Sequence, residues 1–346
     1  MKAAVIALGA AGKVLETREV DLPLIGPTDV LVRVGKVGIC GSDLHGFSDP
    51  SDDSRQPGLI MGHEFGGEIA DVGSLVPHLS VGTSVTVDPQ IRCGRCVACE
   101  NGWFSICAHK QVLGSSRRGF VHGGFAQYAC VAAEQVLPVP DVVSPAQAAL
   151  IEPLSNGLHV VQRAEPAAGD LVVVLGAGTL GLSIVQAFAA AGDFRIVSTD
   201  ISDAKLELAT ALGAVATVNA GRHDVAEVVA DLSGGLGADI VVEAVGVGAV
   251  YRQAIAIARR RGKVMFFGAA APTIELDPIP ILHKELLLIG CTGANDESAD
   301  AVHLVADGTV DLMPLVTHEF SLDDAQEAME TLADPASGAV KVLLCP

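Results

Sequence analysis

Two textures of apolar and polar residues divide the chain. Through the first 150 positions, short alternating runs such as Asp29 to Val37, Phe65 to Val72, Thr83 to Val87 and Phe125 to Val131 are joined by glycine-rich turns. That pattern predicts a β-rich domain, and the alternation in Ala3 to Leu8 predicts its first strand. From Asp170 the texture becomes a rotation of apolar strand, glycine turn and helical period: Leu171 to Leu175, a helix from Thr179, Phe194 to Thr199, then a helix over Ser202 to Leu212. The rotation continues with a helix over His223 to Ser233, the strand Asp239 to Glu243, a helix over Gly248 to Arg260, and the strands Lys263 to Phe267 and Glu285 to Gly290. Such alternation implies a parallel sheet with helices on both faces, and six strands are the count for a doubly wound dinucleotide fold. The tail from Cys291, with a helix starting near Ser321 and a last strand at Val340 to Leu344, is too small to stand alone and is expected to fold back onto the first domain. The expected division is therefore 1–152, 153–290 and a return over 291–346.

A length of 346 residues suits two domains, each able to bury a full core. Half the residues are apolar, but the apolar runs are short and broken by 38 glycines, and none reaches the roughly 18 residues of a membrane span. Gly9 and Gly12 interrupt the one stretch that could imitate a secretory signal, so a cytoplasmic protein is expected, with no membrane partner. With 22 basic and 41 acidic residues the formal net charge is -19, which repels phosphate backbones and makes nucleic acid an unsuitable partner. The plain meaning of this acidity is a solubilising surface.

Eight cysteines are too few for a disulfide scaffold, and four of them fall between Cys93 and Cys107. Cys93, Cys96, Cys99 and Cys107 are spaced Cys-x2-Cys-x2-Cys-x7-Cys, close enough for four sulfurs to surround one zinc ion at about 2.3 Å. Four thiolates leave no open position, so this zinc would brace a loop and take no part in chemistry. An iron–sulfur cluster is the rival use of such cysteines, and a colourless protein would exclude it. Gly176, Gly178 and Gly181, in LVVVLGAGTLG, form a Gly-x-Gly-x-x-Gly that follows an apolar strand and opens a helix at Thr179 and Leu180. The first glycine permits the turn, the second lets a pyrophosphate approach the helix N-terminus, and the third lets helix pack on strand. Asp200, 19 residues after Gly181, ends the next strand, where a carboxylate accepts from ribose hydroxyls and repels a 2′-phosphate, favouring NAD; as a bland alternative it caps the next helix. Lys205 stands either beside that ribose or in solvent.

A third constellation is Cys40-Gly41-Ser42-Asp43-Leu44-His45, followed by Gly62-His63-Glu64. One thiolate, one imidazole and one or two carboxylates supply three protein ligands and an open position, the requirement for a catalytic zinc. Cys40, His63 and Glu64 are the candidate ligands. Together with the four-cysteine lobe, Glu152-Pro153-Leu154, the glycine fingerprint and PLVTHEF near the end, this passage resembles the medium-chain zinc-dependent alcohol and polyol dehydrogenases, over nearly the whole chain.

The resemblance implies a GroES-like catalytic domain beside a Rossmann domain, two zinc ions per chain, NAD, and oxidation of a secondary alcohol, diol or polyol. It places Glu152 where polyol-type relatives carry a glutamate that binds zinc directly or through water; the alternative for Glu64 and Glu152 is to orient the ligands without touching metal. It makes Ser42 the acceptor of the alcohol proton, handed through the nicotinamide ribose to His45; without it, Ser42 reads as a helix cap and His45 as a surface residue. It also implies a homo-dimer or tetramer through the dinucleotide domains, with the apolar strand Glu285 to Gly290 as an edge to be paired. Where sorbitol-type relatives carry a tyrosine, and an arginine with a tyrosine, this chain has Gly46 and Cys291-Thr292-Gly293, which suggests a roomier, less polar pocket. Oxidation of L-threonine is the alternative, set back by Ser42 in a place where such relatives usually carry threonine. A catalytically silent zinc and dinucleotide sensor is a second alternative from another class. His159 reads as a satisfied core residue, and His78, His109, His122 and His318 lack metal-like partners at short spacing. Cys130, Cys291 and Cys345 read as ordinary buried thiols.

Overall fold

The computed structural model describes residues 1–10, 12–269 and 273–346. The chain divides into two compact units, one of Met1–Glu152 with Ser298–Pro346, the other of Pro153–Glu297. In the first unit, β1 (Lys2–Gly9) and β2 (Gly12–Glu19) pair antiparallel. β3 (Asp29–Gly38) leads into the short helix α1 (Gly41–Ser48), then come β4 (Glu64–Val72) and β5 (Ser84–Val87). The cysteine lobe carries β6 (Gln90–Ile91), α2 (Val97–Glu100) and β7 (Gln111–Val112), followed by β8 (Tyr128–Ala132) and β9 (Val136–Pro138). β8 begins three residues later than the alternation suggests: Phe125 and Ala126 instead join the β1 neighbourhood, Phe125 accepting from Ala4 N–H and Ala126 bridging Ala3.

α3 (Pro145–Ala164) carries Pro153 inside it, and the division between the two units falls at the bond before that proline. A proline has no N–H to give its own helix, so this is the turn at which α3 is weakest. The second unit then runs β10 (Leu171–Leu175), α4 (Thr179–Ala191), β11 (Arg195–Asp200), α5 (Asp203–Ala211), β12 (Ala216–Asn219), α6 (Val225–Ser233), β13 (Ala238–Glu243), α7 (Gly248–Ile257), β14 (Ala258–Phe266), α8 (Pro278–Lys284) and β15 (Leu287–Gly290). Its six strands are all parallel in the order β12-β11-β10-β13-β14-β15, the doubly wound arrangement. Leu171, Val173 and Leu175 face one core while Val172 and Val174 are equally buried on the other side, which is why LVVVL reads as an unbroken apolar run. α6 shows the local grammar: the Asp224 carboxylate accepts from Ala226 N–H at its start, and Gly234, at a φ of 63°, ends it.

The sixth strand, β12, was not marked by the sequence pattern, and α7 stops at Ile257 where the helical period suggested Arg260. The arginines that follow belong to β14, whose Ala258 pairs with Ala238 across an irregular register. The return runs α9 (Ser298–Ala306), β16 (Val316–Ser321), α10 (Ala325–Ala333) and β17 (Lys341–Cys345). β17 lies beside the C-terminal half of β3 in a seven-stranded sheet, with β8 against the N-terminal half of the same edge and β4 along the other. Met329 and Leu344 from this return share one core with Ile6, Phe65, Ile69 and Phe125. Each such side chain contributes about 1.5–3 kcal/mol by leaving water.

Two glycines of the β10–α4 turn make opposite demands. A Cβ on Gly181 would lie 1.9 Å from the Gly176 carbonyl oxygen, whereas one on Gly178 would meet nothing within 4 Å. Gly181→Ala is expected to lower stability by about 3 kcal/mol and Gly178→Ala to leave it unchanged. Denaturant unfolding of both variants checks this; equal midpoints would remove the packing role of Gly181.

Candidate active site and metal centres

Cys40 follows the end of β3 as the N-cap residue of α1, and His63 immediately precedes Glu64, the first residue of β4, the strand paired to β3. This register brings one donor atom from each of Cys40, His63 and Glu64 within 4.8 Å of the others. His63 and Glu64 are buried and Cys40 half-buried. Gly38 faces Glu64 across the β3–β4 pair, and a Cβ there would fall 2.3 Å from Glu64 Oε2, so only glycine leaves room for the carboxylate.

Two buried ion pairs flank these residues. Asp43, wholly buried, accepts on Oδ2 from Cys40 N–H at 3.2 Å and on Oδ1 from Arg55 Nη2 at 2.8 Å and Nε at 3.2 Å. The same Oδ1 lies 3.5 Å from His63 Nδ1, close enough for an ion pair. On the other side, Lys341 of β17 donates from Nζ to Glu64 Oε2 in a short contact and to the Ile39 carbonyl at 3.0 Å. Burial alone would push Lys341 down and Asp43 up. Instead Glu64 and Cys40 hold the ammonium charged above its ordinary range, and His63 with Arg55 hold the Asp43 carboxyl well below the usual carboxylate range.

His63 reports what the pocket prefers. Burial opposes its charged form, yet the neighbouring Asp43 carboxylate and Cys40 sulfur outweigh it and raise the imidazole well above its ordinary value. A thiolate, an imidazole and a carboxylate gathered in one pocket are a zinc donor set.

The cysteine lobe is equally specific. The sulfur separations are 3.6 Å for Cys96–Cys99, 3.9 Å for Cys96–Cys107 and 3.6 Å for Cys93–Cys107. A tetrahedron of sulfurs at the zinc–thiolate distance has edges of about 3.8 Å. Backbone N–H groups of Cys99 and Ala108 pull Cys96 down to about 6, while burial and the adjoining sulfurs push Cys99 up to about 11. The four sulfurs thus compete for protons that a divalent ion would displace from all of them.

In the second unit, Gly176 turns at a φ of 102° and Gly178 is the N-cap of α4. Asp200 at the end of β11 accepts from Ala177 N–H at 2.8 Å and from Ser202 N–H at 3.0 Å. A carboxylate has about four acceptor sites, so tethering the glycine turn leaves room for ribose hydroxyls. Ser202, not Asp200, holds the N-cap position of α5, and Lys205 is half-buried on that helix; Thr179 and Leu180 form the first turn of α4.

Ser42 and His45 are both exposed and stand three apart on one face of α1; the cap there is Cys40, so Ser42 is free of that duty. Glu152 is not among the converging donors, although its charge still bears on Lys341. His159 is buried against Glu297 at 2.8 Å. Cys130, Cys291 and Cys345 are half-buried, a correction to the buried thiols expected of them, because each sits at a strand margin or edge instead of in a core. Arg55 and Lys341 escaped sequence reasoning. A lone lysine within the apolar run around Val340 to Leu344 was the one available signal for the latter; Arg55 left none.

Comparison with known proteins agrees with this geometry. Residues 26–141 match the family described as Alcohol dehydrogenase GroES-like domain, and residues 179–307 match the one described as Zinc-binding dehydrogenase. The chain is 34% identical over 338 residues to sorbitol dehydrogenase of Bacillus subtilis, covering 95% of each. To L-threonine 3-dehydrogenase of Bacillus velezensis it is 33% identical over 351 residues, covering 100% of this chain and 99% of that one. Among solved structures it is similar to a zinc-binding dehydrogenase of Sinorhizobium meliloti 1021 bound to NADP, with a TM-score of 0.91, 33% identity and coverage of 100% and 99%.

Metal analysis is expected to find two zinc equivalents per chain, with Cys40→Ser and Cys99→Ser each losing one. A single equivalent, confined to the cysteine lobe of active protein, would refute the assignment of Cys40, His63 and Glu64. In the metal-free protein, Lys341→Met strands the Glu64 charge and is expected to lower the unfolding free energy by about 3–5 kcal/mol.

Proposed function

The chain belongs to the family of medium-chain zinc-dependent alcohol dehydrogenases, and on that premise we propose that it oxidises a small secondary alcohol, diol or polyol to the ketone, passing hydride to NAD. The observation that carries this reading is the convergence of Cys40, His63 and Glu64 in the first unit, in a chain whose second unit carries a glycine fingerprint closed by Asp200. Zinc held by these three side chains would supply the positive charge that lowers the pKa of an alcohol hydroxyl in the remaining position, and the nicotinamide would accept the hydride.

The chain's own residues supply the rest. Cys40 and Glu64 bring the negative charge that retains the metal, and Asp43 sets the face of the His63 ring turned toward it. Glu152 is the carboxylate that could exchange with Glu64, since both act on the same ammonium of Lys341. Ser42 accepts the substrate proton and His45, on the same exposed helical face, delivers it to solvent. The Cys93, Cys96, Cys99 and Cys107 site is closed and structural. Pyrophosphate would sit at the N-terminus of α4 beside Gly176, Gly178, Thr179, Leu180 and Gly181, with Asp200 and Lys205 at the adenosine ribose. Asp200 disfavours a 2′-phosphate, which is why NAD is preferred here although the Sinorhizobium relative was solved with NADP.

All eight cysteines are free, which supports a reducing compartment, and we place the enzyme in the cytoplasm. No helix among the described residues is long and apolar enough to cross a membrane. β15 is the last strand of its sheet and leaves Leu287 54% and Leu288 37% exposed, so a second copy pairing along this edge is the assembly that hides both.

NAD reduction measured against secondary alcohols, diols, polyols and L-threonine is expected to show turnover on the first three classes, and NAD to exceed NADP in kcat/KM. Best turnover on L-threonine would replace the substrate class; silence on every compound with both zinc ions bound would support a sensor. Sedimentation is expected to give a multiple of the 35.4 kDa chain mass, and a monomer would remove the role assigned to β15.

A further inference from the structure

We infer that Arg55 is a positioning residue for the catalytic metal, seated in the space that Gly46 leaves open and holding Asp43 against the ligand His63. The inference rests on the reading of Cys40, His63 and Glu64 as zinc ligands. Its geometry is independent of that reading.

Arg55 is 5% exposed, unusual burial for a guanidinium, and its fork is committed: Nε and Nη2 both reach Asp43 Oδ1, and Nη1 donates to the Ser54 carbonyl at 2.9 Å. Asp43 in turn spends its other oxygen on the backbone N–H of Cys40, itself a ligand. One carboxylate therefore steers two of the three metal donors, and one arginine fixes that carboxylate. A planar fork constrains the carboxylate in a way a point charge does not.

Gly46 makes the arrangement possible. A Cβ there would lie 2.7 Å from Arg55 Cγ and 3.0 Å from Ser54 Oγ. The absent side chain at position 46 thus opens no extra room for substrate, contrary to the roomier pocket its size suggests; the aliphatic stem of Arg55 fills that volume. Lys13 pins the same segment, donating to the carbonyls of Gly46 at 2.7 Å, Asp49 at 2.8 Å and Asp52 at 3.3 Å. Retention of the catalytic metal is thereby coupled to the order of the 46–55 segment.

The test is zinc release from the holoenzyme to a chelating dye, followed in time, with the catalytic and cysteine-lobe phases assigned by Cys40→Ser and Cys99→Ser. Arg55→Met is expected to weaken retention in the catalytic phase about 10- to 100-fold, the usual effect of losing a group that orients a ligand, and to leave the lobe phase unchanged. Arg55→Lys is expected to fall between Arg55→Met and the unaltered enzyme. Gly46→Ala, which displaces Arg55, is expected to act in the same direction and to add nothing in the Arg55→Met background. Should Arg55→Met fail to fold, Arg55→Lys and Gly46→Ala carry the comparison. An unchanged catalytic phase, or equal acceleration of both phases, overturns the role of Arg55 while leaving the zinc ligands in place. A single phase in the unaltered enzyme overturns the ligands and this inference together.

Discussion

The first unit is organised by the cost of burying charge. Asp43, Arg55, Glu64 and Lys341 are all nearly inaccessible, and each is answered by an opposite charge: Asp43 by Arg55, Glu64 by Lys341. An isolated ion in such a place costs several kcal/mol, so the pairs tolerate burial only as pairs. Beside them lie Cys40 and His63, and the Asp43 carboxylate holds the His63 imidazole above its ordinary value against the effect of burial. The four side chains come from α1, the segment before β4, β4 itself and β17, so the metal pocket exists only once these elements have assembled. Stability and ligation are in this sense one problem: the contacts that make the buried charges tolerable are those that aim the donors.

The second unit solves a different problem with less charge. Its sheet is parallel and apolar on both faces, and its chemistry is confined to one turn. There the Asp200 carboxylate ties β11 to the Ala177 N–H, so the phosphate-binding turn and the ribose-binding acid are set relative to each other before any ligand arrives. Gly181 tightens the same turn by letting α4 approach the Gly176 carbonyl. Preorganisation of this kind lowers the ordering cost of binding.

Much of this was legible in the residues. The cysteine spacing, the glycine fingerprint and the Cys40 to His45 turn are local patterns, in which ligands or turn residues lie within one loop, and the structure brings their members together as spacing implied. Long apolar strands such as Leu171 to Leu175 were equally plain, because burial on both faces leaves no polar interruption. The weaker elements were not. β12, in Ala216–Asn219, is too short to show a period, and β16 has alternating exposure in a polar sequence. The partners Arg55 and Lys341 were missed for another reason: the Lys341–Glu64 contact spans 277 positions, far beyond any sequence window, and the Arg55–Asp43 contact spans 12 with no periodic pattern to mark it. Gly46 was misread on the same account, since a missing side chain says nothing of which neighbour fills its place.

The placement of Lys341 bears on biosynthesis. Translation delivers Cys40, His63 and Glu64 early, whereas the ammonium that neutralises Glu64 follows 277 residues later, on the strand that closes β3. A nascent chain therefore carries the carboxylate without its counter-ion while the whole dinucleotide unit is being made and folded. Completion of the pocket therefore waits on β17, and a chain whose synthesis halts before Lys341 keeps the Glu64 carboxylate without its partner while the sheet of the second unit is already made.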